Sequence, residues 1–88
     1  MLSNTEVAEL LARQAERESG FLSRAFRRAA RSAFLWPEEV AKLVAQNRSL
    51  TELRAIGPFI EKQINHWLDK PPRLPYADVL LPRTTRTS

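Results

Sequence analysis

Two features of this chain have residue types and spacing that could do chemistry, and both point at anions. Arg24, Arg27, Arg28 and Arg31 stand at i, i+3, i+4 and i+7, the spacing that gathers side chains on one face of a helix. Residues 21–36 contain no acid. The face is therefore a concentration of positive charge, suited to a polyanion and equally compatible with an ordinary solvated helix face. The second feature is SLTELRAIGPFIEKQINHWL over 49–68, where Ala55-Ile56-Gly57-Pro58 interrupts two helix-like runs. A helix that starts after Gly57 presents backbone N–H groups without intrahelical partners, and such an end can hold a phosphate. It can equally be a tight corner in which glycine supplies backbone angles that other residues resist.

Other chemistries lack their residues. The 88 residues include no cysteine, so there is no disulfide framework and no thiolate metal site, which fits a reducing compartment. His66 stands without a second His, Cys or spaced carboxylate and reads as a surface or rim side chain. The acids are scattered, without the paired setting that general acid–base work needs. Trp36 and Trp67 are not interleaved with basic residues, so they read as core or boundary aromatics rather than stacking platforms. The opening MLSNTEVAELL has no basic region followed by an apolar run, and no stretch of about 18 apolar residues occurs. The expectation is a soluble, cytoplasmic chain without a membrane partner.

Positioning the two features requires helices, and the length supports one small domain near the lower limit for a single core. Ser3 and Glu6 have capping-box spacing ahead of Val7, Leu10 and Leu11, which predicts a first helix over about 4–17 ended by Ser19-Gly20. A second helix over about 21–34 turns Phe26, Ala29, Ala30, Ala33 and Phe34 inward. Pro37 with Glu38-Glu39 suits the first turn of a third helix, whose inner face is Val40, Leu43 and Val44 and which ends at Asn47-Arg48. Ser49 with Glu52 repeats the capping-box spacing and opens a short fourth helix over about 50–54. Pro58 starts a fifth, with Ile60, Ile64, Trp67 and Leu68 inward. Prolines at 71, 72, 75 and 82 then favour an extended tail, with Tyr76, Val79, Leu80 and Leu81 available to touch the bundle or another domain. The fold class is all-α, a bundle of about five short helices over 1–70 followed by a linker or tail over 71–88.

Leu53, Ile56, Gly57, Ile60 and Ile64 occupy the places of the helix-hairpin-helix motif of DNA-binding proteins, which the stretch resembles. Upstream, NTEVAELL, AFRRAARSAF and WPEEVAKL are similar to the N-terminal helices of family X DNA polymerases. The same module precedes the phosphoesterase domain of bacterial polymerase-and-histidinol-phosphatase (PHP) proteins. The matches cover 4–69 in order.

The resemblance implies a sequence-independent grip on DNA phosphates by the amides of Ala55, Gly57, Phe59 and Ile60. Lys62, Arg54 and the arginine stripe would add charge, and a C-terminal catalytic domain would follow in the full protein. It also implies a site for Na+ or K+ at the carbonyls of Thr51, Leu53 and Ile56, with no other cofactor. In the lyase branch of the family a helix lysine forms a Schiff base; its place here is held by Gln63, whose amide is not nucleophilic, so no lyase activity is expected. Lys62 lies about 100° around the helix from Gln63 and should not substitute. The family's tyrosine and lysine of the 5′-phosphate pocket correspond to Phe26 and Phe59. The turn departs from the family pattern at three places. Ala55 replaces the first glycine, Phe59 adds bulk, and Glu61 puts a carboxylate at the helix start, where it suits the dipole and would repel a docked phosphate. A positioning domain that has lost DNA and binds protein through the same surface is the alternative.

Overall fold

The computed structural model describes residues 2–72. Every regular element among them is helical: α1 (Asn4–Arg17), α2 (Gly20–Ala33), α3 (Val40–Ala45), a 3₁₀ turn (Leu50–Glu52) and α4 (Pro58–Asp69). The expected all-α class is the class observed. The expected tail lies, from residue 73 onward, outside the described residues. None of the described helices is long and apolar enough to cross a membrane.

The first helix forms as its sequence dictates. The Glu6 amide donates to Ser3 Oγ at 3.2 Å and the Ser3 amide donates to Glu6 Oε1 at 2.8 Å, so each side chain satisfies the other residue's amide at the helix start. Gly20 takes φ +58, the left-handed region that glycine enters without a Cβ penalty. This lets Glu18 and Ser19 reverse the chain and bring α2 back onto α1. Ser23 Oγ donates to the Ala15 carbonyl at 2.9 Å across that reversal. Val7, Leu10, Leu11 and Ala15 meet Phe26, Ala29, Ala30 and Ala33 in the core, the alanines allowing close approach. Phe34, expected inward, is 67% exposed. The helix has already ended at Ala33, and the turn closed by the Leu35 amide on the Ser32 carbonyl (2.8 Å) carries Phe34 off the inner face.

The third helix starts later than its proline suggested. Trp36 is pulled inward, its indole N–H donating to the Arg54 carbonyl at 2.8 Å. The first turn of α3 is set instead by Asn4 of α1, whose Oδ1 accepts from the Val40 amide (2.8 Å) while its Nδ2 donates to the Glu38 carbonyl (2.8 Å). Glu39, the N-cap of α3, returns the contact by accepting from the Asn4 amide at 2.9 Å. The starts of two helices thus cap one another. At the far end Asn47 adopts φ +57, with the Arg48 amide on the Leu43 carbonyl (2.9 Å) and the Asn47 amide on the Val44 carbonyl (3.0 Å), a Schellman closure.

The expected 50–54 helix is a three-residue 3₁₀ turn, and the Ser49–Glu52 capping box does not form. Glu52 is drawn to Arg48 at 2.6 Å. Its capping role passes to Glu61 of α4, whose Oε2 accepts from the Leu50 amide (2.7 Å) and from Ser49 Oγ (3.0 Å). Leu50, Leu53, Ile56, Ile60, Ile64 and Trp67 complete a single core with α1–α3.

Candidate anion-binding surface

The turn between Leu53 and Pro58 is built by burial at two points and strain at one. Leu53 and Ile56 are buried, and the Ile56 amide donates to the Leu53 carbonyl at 3.3 Å. Between them the Arg54 carbonyl is held by Trp36, while Ala55 adopts φ +71. A left-handed alanine costs roughly 1–2 kcal/mol, and here the two buried neighbours and the indole hydrogen bond over-determine it.

The corner reading of Gly57 is corrected by these angles. Gly57 has φ −93 and ψ 179, a conformation any residue adopts, and a Cβ there would meet nothing within 4 Å. What glycine does at this position is leave the start of α4 without a side-chain cap. The Glu61 amide bonds back to the Gly57 carbonyl at 2.9 Å. Pro58 has no N–H, and the amides of Ala55, Gly57, Phe59 and Ile60 donate to no acceptor among the described residues. Those of Gly57, Phe59 and Ile60 are the donors that a helix start leaves for an external anion, and that of Ala55 belongs to the turn before it.

The two residues that could close this end leave it open. The Glu61 carboxylate, reaching back to Ser49 and Leu50, is committed to the preceding turn. Phe59 is 57% exposed, and its ring edge meets Phe26 at 6.1 Å between centroids and 77° between planes. Beside it lies an open cavity of about 330 Å³ where Arg24 and Arg28 of α2 face Ala55, Gly57, Phe59 and Ile60.

The arginine stripe therefore divides. Arg24 and Arg28 share the cavity with the turn, whereas Arg27 and Arg31 line a separate groove against α1. Lys62 sits with Phe59, Gln63 and His66 over a shallower depression further along α4. Arg54 is exposed and outside all three. Of the carbonyls at Thr51, Leu53 and Ile56, that of Leu53 already accepts the Ile56 amide. No group of three or more His, Cys, Asp or Glu residues among those described could hold a metal ion. Phe21, Leu22, Ala25 and Pro58 also line the cavity. The sequence reading missed them as site residues, although Phe21, one turn before Arg24 and two before Arg28, could have been found as an aromatic on the basic side of the helix.

Charge pairing elsewhere sharpens the contrast. Both ion pairs among the described residues belong to Arg48, which holds Glu38 through two parallel bonds of 3.0 and 3.1 Å and Glu52 at 2.6 Å. Glu52 and then Glu38 push the Arg48 guanidinium further above its ordinary range, and the Arg48 hydrogen bond holds the Glu38 carboxyl below its own. The four arginines of α2 are exposed, with no carboxylate within ion-pair distance among the described residues. Comparison of the chain with protein-family models, with curated proteins and with solved structures gives no match.

Proposed function

We propose that this domain is a non-catalytic, sequence-independent DNA-binding module that contacts the phosphate backbone, and that it forms the N-terminal domain of a longer protein of the polymerase X or PHP type. The 3₁₀ turn, the Leu53–Pro58 turn and α4 are read together as a helix-hairpin-helix, with Ala55 in the left-handed conformation that a turn glycine would take. The observation that carries the reading is the meeting, at one cavity, of unpaired Arg24 and Arg28 with the uncapped amides around Gly57. A phosphate there would receive main-chain N–H bonds at the positive end of α4 and two guanidinium partners. Na+ or K+ at the Thr51, Leu53 and Ile56 carbonyls would bridge hairpin and phosphate. Such contacts read no bases, so binding is indifferent to sequence and steep in salt. Gln63 offers an amide where imine chemistry needs an amine, so the module binds without cleaving.

Titration of labelled duplex and single-stranded DNA at about 50 and about 200 mM salt tests this. With four phosphates neutralised, affinity falls about a hundredfold over that range, and Arg24→Ala with Arg28→Ala reduces the fall to about tenfold. No binding at the lower salt sinks the proposal. The apolar part of the cavity lining, with Phe21 74% exposed, favours the second reading, a positioning domain that docks protein on this same surface. That reading predicts capture of the attached catalytic domain in trans and no response to DNA.

A further inference from the structure

The groove between α1 and α2, on the side away from the turn, has walls of opposite charge that do not neutralise each other. Glu9 stands on the α1 wall and Arg27 and Arg31 on the α2 wall of one cavity of about 410 Å³. No ion pair joins them among the described residues. The floor is Ala8, Ala12 and Ala30, shallow enough for another helix to come close. At the end of α2, Phe34 overhangs the groove at 67% exposure, and the adjoining Leu35 is 80% exposed. Two large apolar side chains in succession beside an alanine floor form a surface that gains from being covered.

We infer that this groove is the interface of a two-fold homodimer. Consider a two-fold axis running along the groove in the plane of contact. It lays α1 of one copy over α2 of its partner, and α2 over α1, at the same level along the groove. The Ser23–Ala15 hydrogen bond fixes the antiparallel register of α1 and α2, and counting from it puts Glu9 level with residue 29, between Arg27 and Arg31. The rotation therefore sets each Glu9 against the partner subunit's Arg27 and Arg31, and each guanidinium pair against the partner subunit's Glu9. The same rotation carries Phe34, at the end of the α2 wall, over Thr5 and Ala8, which line that end of the α1 wall. A two-fold axis across the groove would instead oppose Glu9 to Glu9 and arginine to arginine. Self-complementarity of this kind is what an isologous contact requires, and alternating charge at the rim selects one orientation over the other. The assembly is four helices packed around small residues. It engages Arg27 and Arg31 and leaves Arg24, Arg28 and the turn free, so it stands independently of the DNA reading.

Sedimentation equilibrium of the full 88-residue chain from micromolar to near-millimolar concentration is the test. The expected result is a reversible monomer–dimer equilibrium. Glu9→Arg or Arg31→Glu alone weakens it about tenfold or more, and the Glu9→Arg/Arg27→Glu/Arg31→Glu triple reversal restores it, because the opposed pairs are rebuilt with exchanged signs. Phe34→Ser weakens it without any change of charge. Circular dichroism on each variant verifies the helices, and all four positions are exposed or half-exposed. A wild-type chain that stays monomeric throughout, or a dimer indifferent to the single reversals, overturns the proposal. So does a triple reversal that fails to recover association. DNA binding measured on the same samples separates this outcome from that of the preceding section.

Discussion

Replacing Asn4 with alanine asks whether the bundle is held together at its helix starts. Asn4 is the buried polar side chain among the described residues, 7% exposed, and joins residues more than thirty positions apart. Removing its amide strands two groups. The Val40 amide is buried and has no other acceptor, so its loss costs about 1–3 kcal/mol. The Glu38 carbonyl belongs to a half-exposed residue that water can reach, so it adds less, about 0–1 kcal/mol. The expected total of about 1–4 kcal/mol is a large share of the stability of so small a domain. At about 4–8 °C per kcal/mol for this size, the melting temperature falls by roughly 4–30 °C.

The sign discriminates as well as the size. If Asn4 were only a residue in the first turn of α1, alanine would be the better helix former and would raise stability by a few tenths of a kcal/mol. Thermal unfolding followed by far-UV circular dichroism, with Glu39→Gln as a control that keeps an acceptor for the Asn4 amide, makes the comparison. A melting temperature for Asn4→Ala at or above that of the parent refutes the clamp.

Two further outcomes follow from neighbouring contacts. Trp36→Phe keeps the buried ring but removes the indole donor to the Arg54 carbonyl; it should cost about 1–2 kcal/mol and weaken DNA binding by loosening Ala55, whereas unchanged affinity in the folded variant would disconnect the indole from the site. Acid sensitivity is assigned to Glu38, whose carboxyl is held below its ordinary value of 4.5 by the Arg48 hydrogen bond. Its contribution is complete above the unfolded value and is lost as pH falls through the lower folded value. Glu38→Gln should therefore flatten the fall in melting temperature between neutral pH and about pH 2, and an identical acid limb in both proteins would rule the pair out as its source.

What could be read from the sequence and what could not divides along the range of the interactions. Helix α1 starts where Ser3 and Glu6 say it does, and α4 starts where Pro58 says it does, because these signals act within one turn of chain. The reversal at Gly20 and the stop at Asn47 are of the same kind. Two of the misreadings replaced a contact made across the bundle by one close in sequence. Pro37 looked like a helix start, but the partner that sets the start of α3 is Asn4, thirty-six positions upstream of Val40. Ser49 and Glu52 looked like a capping box, but Arg48 takes Glu52 and Glu61 serves as the cap instead.

The candidate site shows the same limit with more consequence. Helical periodicity placed four arginines on one face, and the face is there, but a stripe of four is wide enough to straddle the ridge of α2. Packing α1 against one flank and the Leu53–Pro58 turn against the other assigns Arg27 and Arg31 to one groove and Arg24 and Arg28 to a second. Helical spacing orders them Arg27, Arg31, Arg24 and Arg28 around the axis, but it does not say that a neighbouring element divides the stripe in the middle. The departures from the family pattern are resolved by the same tertiary contacts. Ala55 tolerates φ +71 because its neighbours are anchored, and the Glu61 charge that would repel a phosphate is turned toward Leu50. Those two residues act together: the carboxylate that neutralises the orphan amide of the 3₁₀ turn also ties that turn to α4, and the tie holds the intervening turn in the shape that leaves the next set of amides bare. The proposed anion binding at Gly57 thus depends on how Glu61 and Trp36 are spent elsewhere, and it should be lost when either is removed, even though neither would touch the phosphate.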